Sequence, residues 1–466
     1  MTELSLGLYG LGTMGSALAL NIAEKGFGLH VANRSAHRVD AFLGEAGALS
    51  ERLTGHDSLV ALIDAMNAPR AVILMVPAGA AVDATIEDIR RHLVPGDMII
   101  DAGNADFNET RRRSAELAGV GLTFVGMGVS GGEEGARNGP SVMVGGPEDA
   151  WLQLRPMLEA ISAKHDGAPC AAWLGPDGAG HFVKTVHNGI EYAEMQMIAE
   201  VFGLERSAGT PHADIGAMFA RWNEGPLASY LVEITSIVLA ARDHLTGAPA
   251  VEEIVDKAGQ KGTGRWTVIE ALKLGQSASV IEAAVAGRGW SSDPVRAVAS
   301  GILPGRSEAV DLPEETLEAA LIAGRIIDHA QGFAILGAAS EEFGWDLDLA
   351  RTAEIWRAGC IIRSAQLDDF ASAFRAGPPK GHLALSPAMA GILDQTVPGL
   401  RAVVASAVSA GQPVPALSGA LGWYDSMTKA RGTAAVIQAQ RDYFGRHGFD
   451  RVDGVADRHG PWWRQV

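Results

Sequence analysis

Two cysteines in 466 residues, Cys170 and Cys360, are too few for a disulfide framework or a cysteine-rich zinc site, and they point to a reducing compartment. Aromatic residues are scarce at 6%, and cations are outnumbered, 38 Lys and Arg against 55 Asp and Glu, for a formal charge of −17. No extended Lys/Arg block supplies the basic footprint that phosphate neutralisation on a nucleic acid requires. Long hydrophobic runs are also missing. The longest, Ala71 to Val82, is interrupted by Pro77 and Gly79 and is too short to span a bilayer. The first apolar segment has no basic stretch before it and runs straight into a glycine motif, so no secretory leader is expected and the chain reads as cytoplasmic. Where cations gather in so acidic a sequence, an anionic ligand is expected.

What is present is ordinary for a globular protein of two or three domains, 47% hydrophobic and 20% charged, with glycine high at 57 residues. Up to about Gly175 short β-rich runs alternate with helical stretches. The runs are Leu4–Tyr9, Leu29–Ala32, Ala71–Val76, Met98–Asp101, Leu122–Val125 and Ser141–Val144; the helices include Thr13–Glu24, Arg38–Leu43 and Glu109–Leu117. That alternation predicts an α/β, Rossmann-like, doubly wound parallel sheet. Pro176-Asp177-Gly178 marks a break, after which helical patterns dominate: Phe182–Arg206, Ala228–Arg242, Thr267–Gly275, Pro313–Phe343 and Asp348–Ser364. The expected organisation is a dinucleotide-binding domain over 1–177, a large all-α domain for substrate and dimerisation over 178–433, and a C-terminal tail over 434–466.

The first strand runs directly into Gly10-Leu11-Gly12-Thr13-Met14-Gly15, and a helix pattern opens there. Gly10 permits a tight turn, Gly12 lets the backbone approach a pyrophosphate, and Gly15 lets helix and strand pack closely. The helix start at Thr13 and Met14 offers N–H groups to the phosphates. After the second strand come Asn33-Arg34-Ser35, where an NAD site usually has a carboxylate. Arg34 suits a 2′-phosphate and nothing there repels one, so NADP is expected. Val76 and Asn104 lie beyond two further strand ends, where doubly wound sheets place ligands. Asn104 reads equally as a ligand contact or as an Asx-turn residue.

Ser130-Gly131-Gly132 exposes a hydroxyl and backbone N–H groups suited to a carboxylate or phosphate oxygen. Further on, Lys184, His187, Asn188 and Glu191 sit at i, i+3, i+4 and i+7, one face of a helix, among apolar Phe182, Val183, Val186 and Ile190. An amine, an imidazole, an amide and a carboxyl on a partly buried face form an active-site pattern. Oxidation of an alcohol needs a base for the hydroxyl proton, which Lys184 supplies if burial lowers its pKa; Glu191 suits a later proton donation. No metal is called for.

Together these motifs resemble the NADP-dependent, decarboxylating 6-phosphogluconate dehydrogenase family of the long-chain type. The resemblance covers nearly the whole chain, through Gly128–Met143, Gly178–Gln196, Trp222–Thr235, Asp256–Thr267 and Ile437–His447. It implies Lys184 as base at the C3 hydroxyl and Glu191 as the acid that protonates C1 after loss of CO₂, giving ribulose 5-phosphate in the pentose phosphate pathway. It implies Asn104, Ser130, Gly131, Gly132, His187 and Asn188 as contacts to substrate carboxylate and hydroxyls. Tyr192, Lys261, Thr263, Arg288, Arg441 and His447 match the phosphate pocket, the last two reaching across from the partner in a homodimer. The chain departs from the family pattern at Pro77, where a lysine is usual, at Ala102 and Ala105 flanking Asn104, and at Gly12. Gly275–Ser292 and Val455–Val466 match more loosely. The rival readings are a β-hydroxyacid dehydrogenase for a smaller unphosphorylated acid and a non-catalytic NADP-binding protein.

Overall fold

A computed structural model describes residues 4–260, 262–305 and 307–463. The first part is a strand–helix series: β1 (Ser5–Tyr9), α1 (Thr13–Glu24), β2 (Leu29–Ala32), α2 (Ala36–Glu45), β3 (Leu53–His56), α3 (Leu59–Ala65), β4 (Arg70–Leu74), α4 (Ala80–Ile89), β5 (Met98–Asp101), α5 (Phe107–Ala118), β6 (Thr123–Val129), α6 (Gly132–Asn138), β7 (Val142–Gly145), α7 (Glu148–Ile161), β8 (Lys164–His165), β9 (Ala168–Pro169) and β10 (Ala171–Trp173). Eight strands form one sheet in the order β10-β7-β6-β5-β4-β1-β2-β3, while β8 and β9 make a small separate pair. From β6 to β3 the strands run parallel; β7 pairs antiparallel to β6 and carries β10 alongside it, so one edge is reversed. Strand–helix alternation alone does not disclose that reversal. Successive β4 side chains serve both faces: Ala71 and Ile73 join the core under α1 and α7, and Val72 and Leu74 join the core under α3 and α4. Burying each large side chain there stabilises by roughly 1.5–3 kcal/mol, which is why the strand reads as a continuous apolar run.

After Gly178 the chain is helical: α8 (Ala179–Ala208), α9 (His212–Trp222), α10 (Tyr230–Ala240), α11 (Thr263–Lys273), α12 (Ser279–Ser292), α13 (Val295–Ile302), α14 (Glu314–Phe343), α15 (Leu349–Ile355), α16 (Gln366–Arg375), α17 (Pro387–Ser409), α18 (Pro415–Met427) and α19 (Ala434–Gly445). The 30-residue α14 packs between α8 and α17. Among the described residues it alone is long and apolar enough to cross a membrane, and 89% of its apolar window is buried inside the protein. The start of α8 lies directly on β6 and β7. A Cβ at Gly180 would press on Gly145 N, Met143 O and Gly126 O, so only glycine lets the helix come this close to the sheet.

The expected helix over Asp348–Ser364 stops at Ile355. Gly359 takes φ +72, and its carbonyl accepts from Ser141 N at 2.7 Å, so the segment turns away to brace the sheet. The chain divides into two compact units between Ala420 and Leu421, inside α18, and α19 begins at Ala434 within the second. Within the second unit, the buried Asp442 carboxylate accepts from Gly448 N and Gly460 N at 3.0 Å and from Trp462 Nε1 at 2.9 Å. Against the desolvation that would raise it, these bonds and the one to His459 hold its pKa at about 2.

Candidate active site

The C-terminal ends of β2, β1, β4, β5 and β6 stand side by side in that order. At β1, Gly10 adopts φ +107, its N–H donates to Ala32 O at 3.0 Å, and a Cβ would press on Met75 O. Gly15 is closed in by the Gly10 carbonyl, while nothing lies within 4 Å of a Cβ placed on Gly12. The glycine loop is therefore tight on the protein side and open on the ligand side, and Thr13 and Met14 begin α1 with no side-chain cap competing for their N–H groups. Asn33 Oδ1 accepts from Leu11 N at 3.0 Å and braces the loop. Arg34 is exposed, Ser35 Oγ bonds His37 Nδ1 at 2.6 Å, and no carboxylate follows β2 before Asp40. These residues fit a phosphorylated dinucleotide. Val76 is half-buried at the end of β4 and Asn104 is exposed beyond β5.

On α8 the expected stripe faces inward. Lys184 is 6% exposed and the Glu191 side chain 20%, while His187 is fully buried. Lys184 Nζ donates to Ser130 Oγ at 2.9 Å, and the same hydroxyl lies 3.3 Å from His187 Nε2. His187 Nδ1 is 3.1 Å from Asn188 Oδ1 and 3.9 Å from Glu191 Oε2. Burial pushes the Lys184 amine down, partly offset by Glu191; burial pushes Glu191 up, against the pull of Lys184 and Arg288. Burial, with Lys184 beside it, holds the His187 imidazole neutral. Lys184 is anchored on the end of β6, where a Cβ at Gly128 would meet its own Cβ at 2.5 Å. Ser130, Gly131 and Gly132 follow the same strand, the two glycines at φ +104 and +64.

A second cluster adjoins the stripe. The Arg288 guanidinium lies 3.5 Å over the Tyr192 ring, and a Cβ on Gly264 would press on that ring, so the buried Thr263 next to it belongs to the same group. α8, α11 and α12 thus bring Tyr192, Thr263 and Arg288 together. Lys261 lies outside the described residues. Arg441 and His447 are exposed residues of the second unit.

Sequence reasoning missed two neighbours of the stripe. Trp356 stands edge-on to His187, ring centroids 5.5 Å apart. Cys360 is buried beside Lys184, its thiol pushed by that burial up to about 12. Both belong to the segment read as helix; Gly359 was the available sign that the helix breaks there.

The chain is similar to known proteins over nearly its whole length. Residues 5–175 match the family model "NAD binding domain of 6-phosphogluconate dehydrogenase", and residues 180–462 match "6-phosphogluconate dehydrogenase, C-terminal domain". The NADP(+)-dependent, decarboxylating 6-phosphogluconate dehydrogenase of Bacillus subtilis is 45% identical over 99% of this chain and 100% of its own. The decarboxylating enzyme 1 of Saccharomyces cerevisiae is 45% identical over 98% of this chain and 94% of its own. A solved structure of Plasmodium falciparum 6-phosphogluconate dehydrogenase, described with its cofactor NADP+ and its substrate 6-phosphogluconate, superposes with a TM-score of 0.94 at 37% identity, covering 98% of this chain and 100% of that one.

Proposed function

The chain belongs to the 6-phosphogluconate dehydrogenase family, and from that premise we propose how its residues carry out the NADP-dependent oxidative decarboxylation of 6-phosphogluconate to ribulose 5-phosphate and CO₂. The observation that carries the reading is the inward-facing pair of amine and carboxyl on α8, anchored at the end of β6. NADP, when bound, supplies the hydride acceptor. The neutral Lys184 amine takes the C3 hydroxyl proton as hydride leaves that carbon, giving a β-keto acid. The carboxylate then departs as CO₂, its bonding electrons flow into the carbonyl, and the protonated Lys184 returns its proton to the carbonyl oxygen. Glu191 protonates C1 of the resulting enediol. His187, held neutral, donates or accepts without adding a charge, and with Asn104, Ser130, Gly131, Gly132 and Asn188 it holds the carboxylate and hydroxyls.

Gly10, Gly12, Thr13, Met14 and Gly15 would hold the pyrophosphate, Asn33, Arg34 and Ser35 the 2′-phosphate, and Val76 and Asn104 the nicotinamide side. Arg34→Asp is expected to lower kcat/KM with NADP by roughly a hundredfold, because an arginine–phosphate pair becomes a repulsion. The NAD value should change far less. NADP preference surviving that change would refute the assignment. Tyr192, Lys261, Thr263 and Arg288 would bind the substrate phosphate, with Arg441 and His447 arriving from the tail of a second subunit in a homodimer. The cytoplasm is the expected location for such a metabolic enzyme. A direct test compares 6-phosphogluconate with gluconate at the reduced-nicotinamide absorbance; equal turnover of the two would sink the phosphate pocket.

A further inference from the structure

The run Arg111-Arg112-Arg113 on α5 has no part in the site above, yet the Arg113 side chain is only 1% exposed. Its Nε donates to Asp83 Oδ1 at 2.8 Å, and Nη2 donates to Asp83 Oδ2 at 3.0 Å, Glu109 Oε2 at 2.9 Å and Gly79 O at 3.1 Å. Nη1 lies 3.8 Å from Asp101 Oδ2, and both side chains are buried. Asp101 Oδ1 in turn accepts from Gly103 N at 3.1 Å. One guanidinium thus fastens Gly79, which closes the segment after β4, and reaches through Asp101 to the segment after β5. His181 continues the line. It is buried beside the backbone of Asp101 and Gly103, its Nδ1 is 2.7 Å from Thr110 Oγ1 on α5, and it stands one helical turn before Lys184.

The strand order gives this network its meaning. Arg34 follows β2, the glycine loop follows β1, and Lys184 is anchored on β6. At about 4.8 Å per strand the ends of β4 and β5 fill the interval between loop and lysine. A dinucleotide with its 2′-phosphate at Arg34 and its pyrophosphate on the glycine loop therefore lays its nicotinamide on these two segments. Their residues, Val76-Pro77-Ala78 and Ala102-Gly103-Asn104, carry no charge with which to hold themselves in place. We propose that Arg113 is a positioning residue for the nicotinamide end of the coenzyme: it fixes the separation of the two segments from beneath, and His181 ties that separation to the helix bearing Lys184.

The inference rests on the coenzyme reading above, so its test is binding as well as turnover. The full chain is titrated calorimetrically with NADP and with 2′-phosphoadenosine diphosphate, which lacks the nicotinamide. Arg113→Lys keeps the charge but loses the planar fork. It is expected to weaken NADP by roughly tenfold and to leave the nicotinamide-free fragment within about twofold of the wild type, since only the misplaced end loses contacts. Asp83→Asn, at a side chain 39% exposed, removes the negative charge and one of the two oxygens that accept from the fork, and should give the same pattern in a smaller degree. If either folded variant weakens both probes alike, or neither, Arg113 is only packing and the inference falls. A wild-type chain that fails to bind NADP would overturn the coenzyme reading and this inference with it.

Discussion

Lys184→Ala is expected to lower kcat by about 10³- to 10⁴-fold while the dissociation constant of NADP stays within about threefold of wild type. The amine is the basic group nearest the end of β6, and its partners leave no substitute. Ser130 is unionised, and His187 is a weak base because burial and the neighbouring amine keep protons off it. Kinetics at the reduced-nicotinamide absorbance, paired with direct coenzyme titration, separate chemistry from binding. A loss of only a few fold would show that another group takes the hydroxyl proton.

Glu191→Gln is expected to cost about 10²- to 10³-fold and to change the shape of the pH profile. The proposed mechanism needs a neutral amine and a protonated carboxyl together. Free groups titrate at roughly 10.4 and 4.3, so almost no unperturbed pair would hold both forms at once. Burial lowers Lys184 and raises Glu191, which brings the two titrations toward each other. On that mechanism the rate is expected to fall with decreasing pH as the amine gains its proton and with increasing pH as the carboxyl loses its own; the two apparent values belong to the coupled pair. The glutamine variant should lose the alkaline limb. Its acid limb should move to lower pH, because the Glu191 carboxylate supports the proton on Lys184. In heavy water, deuterium should enter C1 of the product more slowly than in the wild type. An alkaline limb that persists in the variant would remove Glu191 from the role of acid.

Much of this was legible in the residues because the signals were local. A strand running into Gly10, Gly12 and Gly15 needs no distant partner to be recognised, and the spacing of Lys184, His187, Asn188 and Glu191 fixes their common face by helix geometry alone. What escaped depends on contacts between remote segments. The reversed edge arises because β7 pairs with β6 after α6, and β10, three residues long, lies beside β7. Trp356 and Cys360 reach His187 and Lys184 across some 170 positions of sequence. The role of the arginine run was hidden for the same reason: Arg113 acquires its meaning from Asp83, Gly79 and Asp101, which precede it on other elements.

The two thiols, both buried and never paired, make the folded chain silent to alkylating reagents. Each can be tagged only when its surroundings part, so the speed of labelling is a clock for spontaneous opening. Cys170 belongs to the sheet's reversed margin and Cys360 to the buried surroundings of Lys184. The chain therefore carries its own pair of stopwatches, and a difference between their rates would tell whether the crevice breathes independently of the scaffold that supports it.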